Sequence, residues 1–192
     1  ALVPMLLKTR YSNNSFFQST RSVLTIHNGA FQGVFERNQL WALPEVTDTY
    51  NESLLQGHAY INFLKCGVLY ADKINAVSPS YASELMTYLG GHGMAKNFQE
   101  RSSDVRGIIN GCDYADWDPK TDPLIPVNYD ASRLADKELC KHALQKRAGL
   151  DIGDTPLFGM VCRLTEQKGL NLLLPILEKF LVHRVQVVIV GT

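Results

Sequence analysis

Apolar residues fall alternately in short continuous runs and in helical spacings, which predicts strands and helices in turn. The runs Ser22–Ile26, Lys73–Val77, Val105–Asn110, Leu157–Val161 and Val185–Val190 read as strands. Helical spacing predicts helices over Tyr60–Ala71, Arg133–Ala148 and Leu170–Leu181, with Pro175 kinking the last. A further helix opens at Ser78-Pro79, with Ser as N-cap and Pro at the first helical position, and carries Tyr81, Leu85 and Leu89. Gly90-Gly91-His92-Gly93 stops it. Leu2–Leu7 reads as the tail of a helix, Tyr11–Arg21 and Gly29–Gly57 as loops, and Phe98–Asp104 as polar surface. Asp113–Pro126, rich in Asp and Pro, reads as a linker, with Asp130 capping the helix after it and Gly149 ending that helix. Two α/β units with parallel sheets follow from this order.

Composition changes little in that picture. The 192 residues are 45% hydrophobic and 20% charged with no net charge, an ordinary globular balance that points to neither nucleic acid nor membrane. No apolar run is long enough to span a bilayer. The first fifteen residues lack the basic start of a signal peptide. Position 1 is not Met, which suggests a chain that begins within a longer protein. Cys66, Cys112, Cys140 and Cys162 have no metal-site spacing and are expected to be reduced thiols of an intracellular protein.

Candidate chemistry gathers after the strands. Arg163 and Lys168 stand between the predicted strand Leu157–Val161 and the helix after it. Ligands bind at that place in open α/β sheets. A guanidinium fork and a mobile ammonium suit phosphate oxygens, and a helix N-terminus adds positive potential. The pair therefore reads as a phosphate or diphosphate site, or as two solvated cations. His27 and Asn28 follow the strand Ser22–Ile26. Each offers a donor and an acceptor, and a structural histidine is the plainer reading of His27.

The sequence resembles the bacterial glycogen synthases and plant starch synthases, two-Rossmann-domain glucan synthases of the GT-B type. Thr25-Ile26-His27-Asn28 with Gln32-Gly33, Asn62-Phe63-Leu64-Lys65, Ala76-Val77-Ser78-Pro79, Gly107 to Gly111 with Trp117-Asp118-Pro119, and Arg163 to Gly169 carry the likeness. The resemblance implies an α/β fold holding parts of two domains. Residues 1–108 would be the back of an N-terminal catalytic domain, 109–130 a linker, and 131–192 the start of a nucleotide-sugar-binding domain. It implies transfer of glucose, with retention, from ADP-glucose to the non-reducing end of an α-1,4-glucan. Arg163 and Lys168 match the family's pair on the donor diphosphate, and His27 the histidine beside the donor glucose. Asn28 and Asn110 match polar residues on the sugar side. The resemblance implies no cofactor and no metal, and a bacterial cytoplasmic or plant plastid setting.

The chain also departs from the family. A Lys-x-Gly-Gly loop, a His-x-His-Asp-type segment and a Glu-x-x-Gly-Leu motif are missing from it. The expectation is therefore that these 192 residues alone are inactive and poorly stable, with open sheet edges. A GT-B enzyme using a UDP- or GDP-sugar, or a non-catalytic nucleotide- or glucan-binding module, fits the same loop.

Overall fold

The computed structural model describes residues 1–42, 55–56 and 59–192, so residues 43–54 and 57 of the loop read over Gly29–Gly57 lie outside the described residues, while its described part is not all loop and holds two short strands and a 3-10 helix. The chain divides into two compact units, Ala1–Gly111 and Cys112–Thr192.

In the first unit, β1 (Val23–Ile26), β5 (Lys73–Ala76) and β6 (Val105–Gly107) form a parallel sheet with β5 at its centre. A smaller antiparallel sheet joins β2 (Val34–Glu36), β4 (Tyr60–Asn62) and β3 (Leu55–Gln56), in the order β2-β4-β3. Around them lie helices α1 (Val3–Lys8), α2 (Phe63–Tyr70), α3 (Pro79–Glu84) and α4 (Ala95–Glu100).

Helix α2 is apolar on two sides because it lies between two cores. Leu64 and Val68, one turn apart, join Ile26, Ile74, Leu85 and Phe98 in the larger cluster. Cys66, with Phe63 and Tyr70 beside it, faces Met5, Leu40 and Ile61 in the other. A helix forms where one was read over Leu2–Leu7, at Val3–Lys8, and its Pro4 sits in the first turn, where a missing N–H costs nothing.

Several predicted boundaries move. The helical spacing over Tyr60–Ala71 covers a strand and a helix, because Asn62 adopts an extended backbone and its side chain caps α2 by accepting from the Lys65 N–H. The stretch Phe98–Asp104 is not all surface. Phe98 is fully buried on α4, a helix that polar neighbours hid from the sequence pattern. Helix α3 ends at Glu84, short of Leu89, which is exposed. Strand β6 pairs only as far as Gly107, rather than to Asn110. The Ser78 cap forms as expected, its hydroxyl accepting from the Tyr81 N–H at 2.9 Å.

In the second unit, residues 113–130 contain no helix or strand, and side chains pin their turns. Asp113, Asp118 and Asp122 each accept from the N–H two residues on, a chain of Asx turns. Asn128 ties the stretch together by donating to Pro119 O and Asp122 O. Asp130 does not cap a helix: it accepts from the Ser132 and Arg133 N–H groups in a turn ahead of the 3-10 turn at Leu134–Asp136, and the α-helix, α5, runs Lys137–Arg147 with no side-chain cap. It ends in a Schellman arrangement, with Gly149 at φ +68° and the Leu150 N–H on Gln145 O. Strands β7 (Leu157–Val161) and β8 (Gln186–Val190) pair in parallel. Between them, Pro175 breaks the predicted helix into α6 (Leu170–Leu173), a 3-10 turn, and α7 (Leu177–Leu181).

The two units differ in their cores. The buried apolar side chains among the described residues all lie between Met5 and Val105. In residues 112–192 the one buried residue is Gln145, while Phe158, Val161 and Val190 stay about half exposed or more. A two-stranded parallel sheet is too narrow to cover its own faces, and such strands are normally covered on both.

Two polar clusters hold the first unit's framework. The Arg101 guanidinium donates to Val68 O, Leu69 O and Ala71 O at the end of α2, and also binds Asp104. It thus closes carbonyls that a helix end leaves open. Lysine has no planar fork to reach them together. Arg101→Lys is expected to lower stability by about 2 kcal/mol, the scale of hydrogen bonds to a charged group. Urea unfolding of both proteins measures it, and an unchanged midpoint would refute the capping role.

Asp72 accepts from Lys8 and from the Ser22 N–H and hydroxyl, joining α1 to the start of β1. The Lys8 ammonium, with help from Ser22, holds its carboxyl at about 2, although partial burial pushes the other way. A depressed folded-state value stabilises above the unfolded value, near 3.9 for Asp, and that stabilisation fades as pH falls towards the folded one. Wild type should therefore exceed Asp72→Asn in stability at pH 7, with the gap closing between about pH 4 and pH 2. Urea midpoints across that range test it; a gap independent of pH would contradict it.

Candidate functional site

All three parallel strands of the first unit run the same way, so their carboxyl ends share one edge. His27 and Asn28 leave β1 there, Ser78 follows β5, and Asn110 lies three residues past β6. β5 separates β1 from β6, so the two ends stand about 10 Å apart at ordinary strand spacing. His27 and Asn110 are exposed, and Asn28 is half-buried. Gly107 lets β6 approach this edge: a Cβ there would meet Ser78 O at 2.2 Å and Pro79 at 2.4 Å.

The loop after β1 is fixed by a buried amide network. The Gln32 side chain donates to Gly29 O and to His92 O, both at 2.9 Å. Its oxygen accepts from the Asn62 amide at 2.6 Å. Gln32 and Asn62 are 8% and 1% exposed, so these bonds are shielded from water and costly to leave unmade. The Tyr81 hydroxyl accepts from the Gly29 N–H at 2.6 Å. Gln32 O and Gly33 O accept from the Leu64 and Phe63 N–H groups, closing free donors of the first turn of α2. A Cβ at Gly29 would meet the end of the Leu85 side chain at 2.9 Å, so Leu85 would have to shift to admit a larger residue. Asn28 holds the turn locally by accepting from the Ala30 N–H.

In the second unit, Arg163 follows β7 by two residues and Lys168 ends a 3-10 turn at Glu166–Lys168. The strand pairing runs on past β7, with the Cys162 N–H on Val190 O and the Leu164 N–H on Thr192 O. A Cβ at Gly191 would meet Cys162 O at 2.1 Å, so a bare backbone is needed beside this loop. Both cations are exposed, and neither side chain forms an ion pair or hydrogen bond among the described residues. They are available to an anion. The helix N-terminus expected to assist them is weak: α6 has only four residues before the Pro175 break, so few peptide dipoles align.

The structure thus gathers His27, Asn28 and Asn110 on one strand edge, and Arg163 and Lys168 on one loop. Residues that position the first group escaped the sequence reading as functional. They are Gln32, Asn62, Tyr81 and the backbone of His92. The signal for them was faint, an amide in an otherwise apolar stretch. An apolar groove of about 510 Å³, lined by Tyr129, Leu134, Leu144 and Leu157 among others, contains none of the predicted site residues.

Comparison with known proteins bears on the family and the fold. A family model described as the starch synthase catalytic domain matches residues 1–100. The glycogen synthase of Aeromonas hydrophila is 63% identical over 191 residues, covering 100% of this chain and 39% of the relative. That of Vibrio cholerae is 53% identical over 194 residues, covering 100% of this chain and 40% of the relative. The chain therefore spans about two fifths of the curated relatives it matches. The catalytic domain of starch synthase IV from Arabidopsis thaliana, solved bound to ADP and acarbose, superposes with a TM-score of 0.84 at 31% identity. That match covers 98% of this chain and 39% of the other, and the fold is the α/β GT-B type. With the family model covering more than half of its length, the chain belongs to the glycogen and starch synthase family.

Proposed function

We propose that these residues form part of a glucosyltransferase that moves glucose from ADP-glucose to the non-reducing end of an α-1,4-glucan, with retention, in glycogen synthesis. The observation that carries the reading is the Arg163–Lys168 loop, two cations without a partner among the described residues, beyond the carboxyl end of a parallel strand. Family membership and a structural neighbour bound to ADP and acarbose support it.

The chemistry assigns a role to each residue. Breaking the bond between glucose C1 and the diphosphate oxygen leaves the electron pair on that oxygen. Arg163 and Lys168 meet the charge as it grows and so favour the transition state over the bound substrate. His27 and Asn28, held by the Gln32 network, and Asn110 bind and orient the donor glucose through its hydroxyls. No cofactor or metal enters this scheme, since protein cations balance the diphosphate. The partners are the nucleotide sugar and the glucan, and the setting is the bacterial cytoplasm.

We assign residues 1–108 to the end of an N-terminal catalytic domain and 131–192 to the start of a nucleotide-sugar-binding domain, joined by 109–130. The matched family model ends at residue 100, which favours that division. The half-exposed faces of β7 and β8 would be covered by the remainder of the relatives' length.

The gene product that carries these residues tests the reading by transfer of labelled glucose to glycogen, with ADP-, UDP- and GDP-glucose in competition. Arg163→Ala and Lys168→Ala should each lower kcat by about 10²- to 10³-fold, the usual scale for losing one donor to a developing anion. A preference for another nucleotide would move the chain to a different sugar donor. Absence of transfer with retained ADP binding would make it a binding module.

A further inference from the structure

Three potential metal ligands meet on the second unit, outside the groups given roles above. Glu138 and His142 lie one turn apart on α5, so they share a face of the helix. Asp154 comes from the loop before β7. One ligand atom from each residue lies within 4.8 Å of the other two. Ligands of a tetrahedral ion with bonds near 2.0–2.1 Å lie roughly 3.4 Å apart. Small rotations of the two exposed carboxylates cover the difference.

The imidazole supplies an independent observation. His142 Nε2 is shut off from solvent and has no hydrogen-bond partner. Glu138 Oε1 stands 3.9 Å from it, too far for a hydrogen bond. A buried polar atom without a partner is unfavourable and is the exception in folded proteins. An ion held jointly with the two carboxylates satisfies it. The loop is also braced from behind. Gln145, fully buried, accepts from the Gly153 N–H and donates to Gly153 O and to the Gln186 side chain, which fixes the residue next to Asp154 against α5.

We propose that Glu138, His142 and Asp154 form a divalent-cation site, suited to Zn²⁺, that clips helix α5 to the loop leading into β7. One imidazole with two carboxylates suits a borderline cation, and the fourth position is open to water. The site is structural and takes no part in glucosyl transfer, so it stands whether or not that function holds. A unit with no fully buried apolar side chain gains most from such a staple.

The test is calorimetric titration, with Zn²⁺, of the metal-free gene product that carries these residues. Co²⁺ absorption reports the donor atoms, since thiolate ligands give a charge-transfer band that nitrogen and oxygen do not. One equivalent should bind without the thiolate band and raise the melting temperature. His142→Gln and Asp154→Asn should each weaken binding about tenfold or more, since even outer-shell losses reach that scale. His183→Gln, a histidine of the same unit outside the cluster, should bind as wild type does. Binding unchanged in both His142→Gln and Asp154→Asn, a thiolate band, or no binding at millimolar Zn²⁺ would overturn the proposal.

Discussion

One buried side chain, Gln32, holds the loop after β1. It joins the turn after β1 to the glycine-flanked turn at His92, and Asn62 orients its amide from the start of α2. Every polar atom of that amide is used, at a place where water cannot substitute. His27 and Asn28 can therefore be exposed to a ligand while the backbone beneath them is rigid. Exposure and precision rarely coincide in a loop, and here a strand end on one side and a helix start on the other make it possible.

The second unit uses a different logic. Its cationic loop is anchored by backbone pairing carried past the ends of β7 and β8, and by the close approach at Gly191. The side chains of Arg163 and Lys168 remain unpaired among the described residues. Cations without internal partners keep their full attraction for an external anion, which suits a site whose ligand carries the charge. The cost appears elsewhere, in strands that lie half exposed.

Much of this was legible in the sequence because its signals were local. Ser78-Pro79 announced a capped helix, Pro175 a broken one, and Gly149 a helix end, and each acts through its own backbone. The strands Leu157–Val161 and Lys73–Val77 were short apolar runs and formed nearly as read. What escaped depended on distant partners. Phe98 looked like one apolar residue in a polar segment, and only the packing of α4 on the sheet buries it. Asn62 looked like part of a helix, but β2 on one side draws it into a strand and makes it a cap. Gln32 could not be recognised as a fastening, because its partners stand three, thirty and sixty residues away. The candidates His27 and Asn28 could be placed for a related reason: they follow directly on β1, whose end could be read.

The account rests on the loop from Arg163 to Lys168 receiving a diphosphate, and NMR titration of the ¹⁵N-labelled gene product that carries these residues with ADP tests that most directly. Shifts that include residues 162–169, lost there in Arg163→Ala and reproduced there by inorganic diphosphate, are the predicted result. An unperturbed loop at millimolar ADP would contradict it.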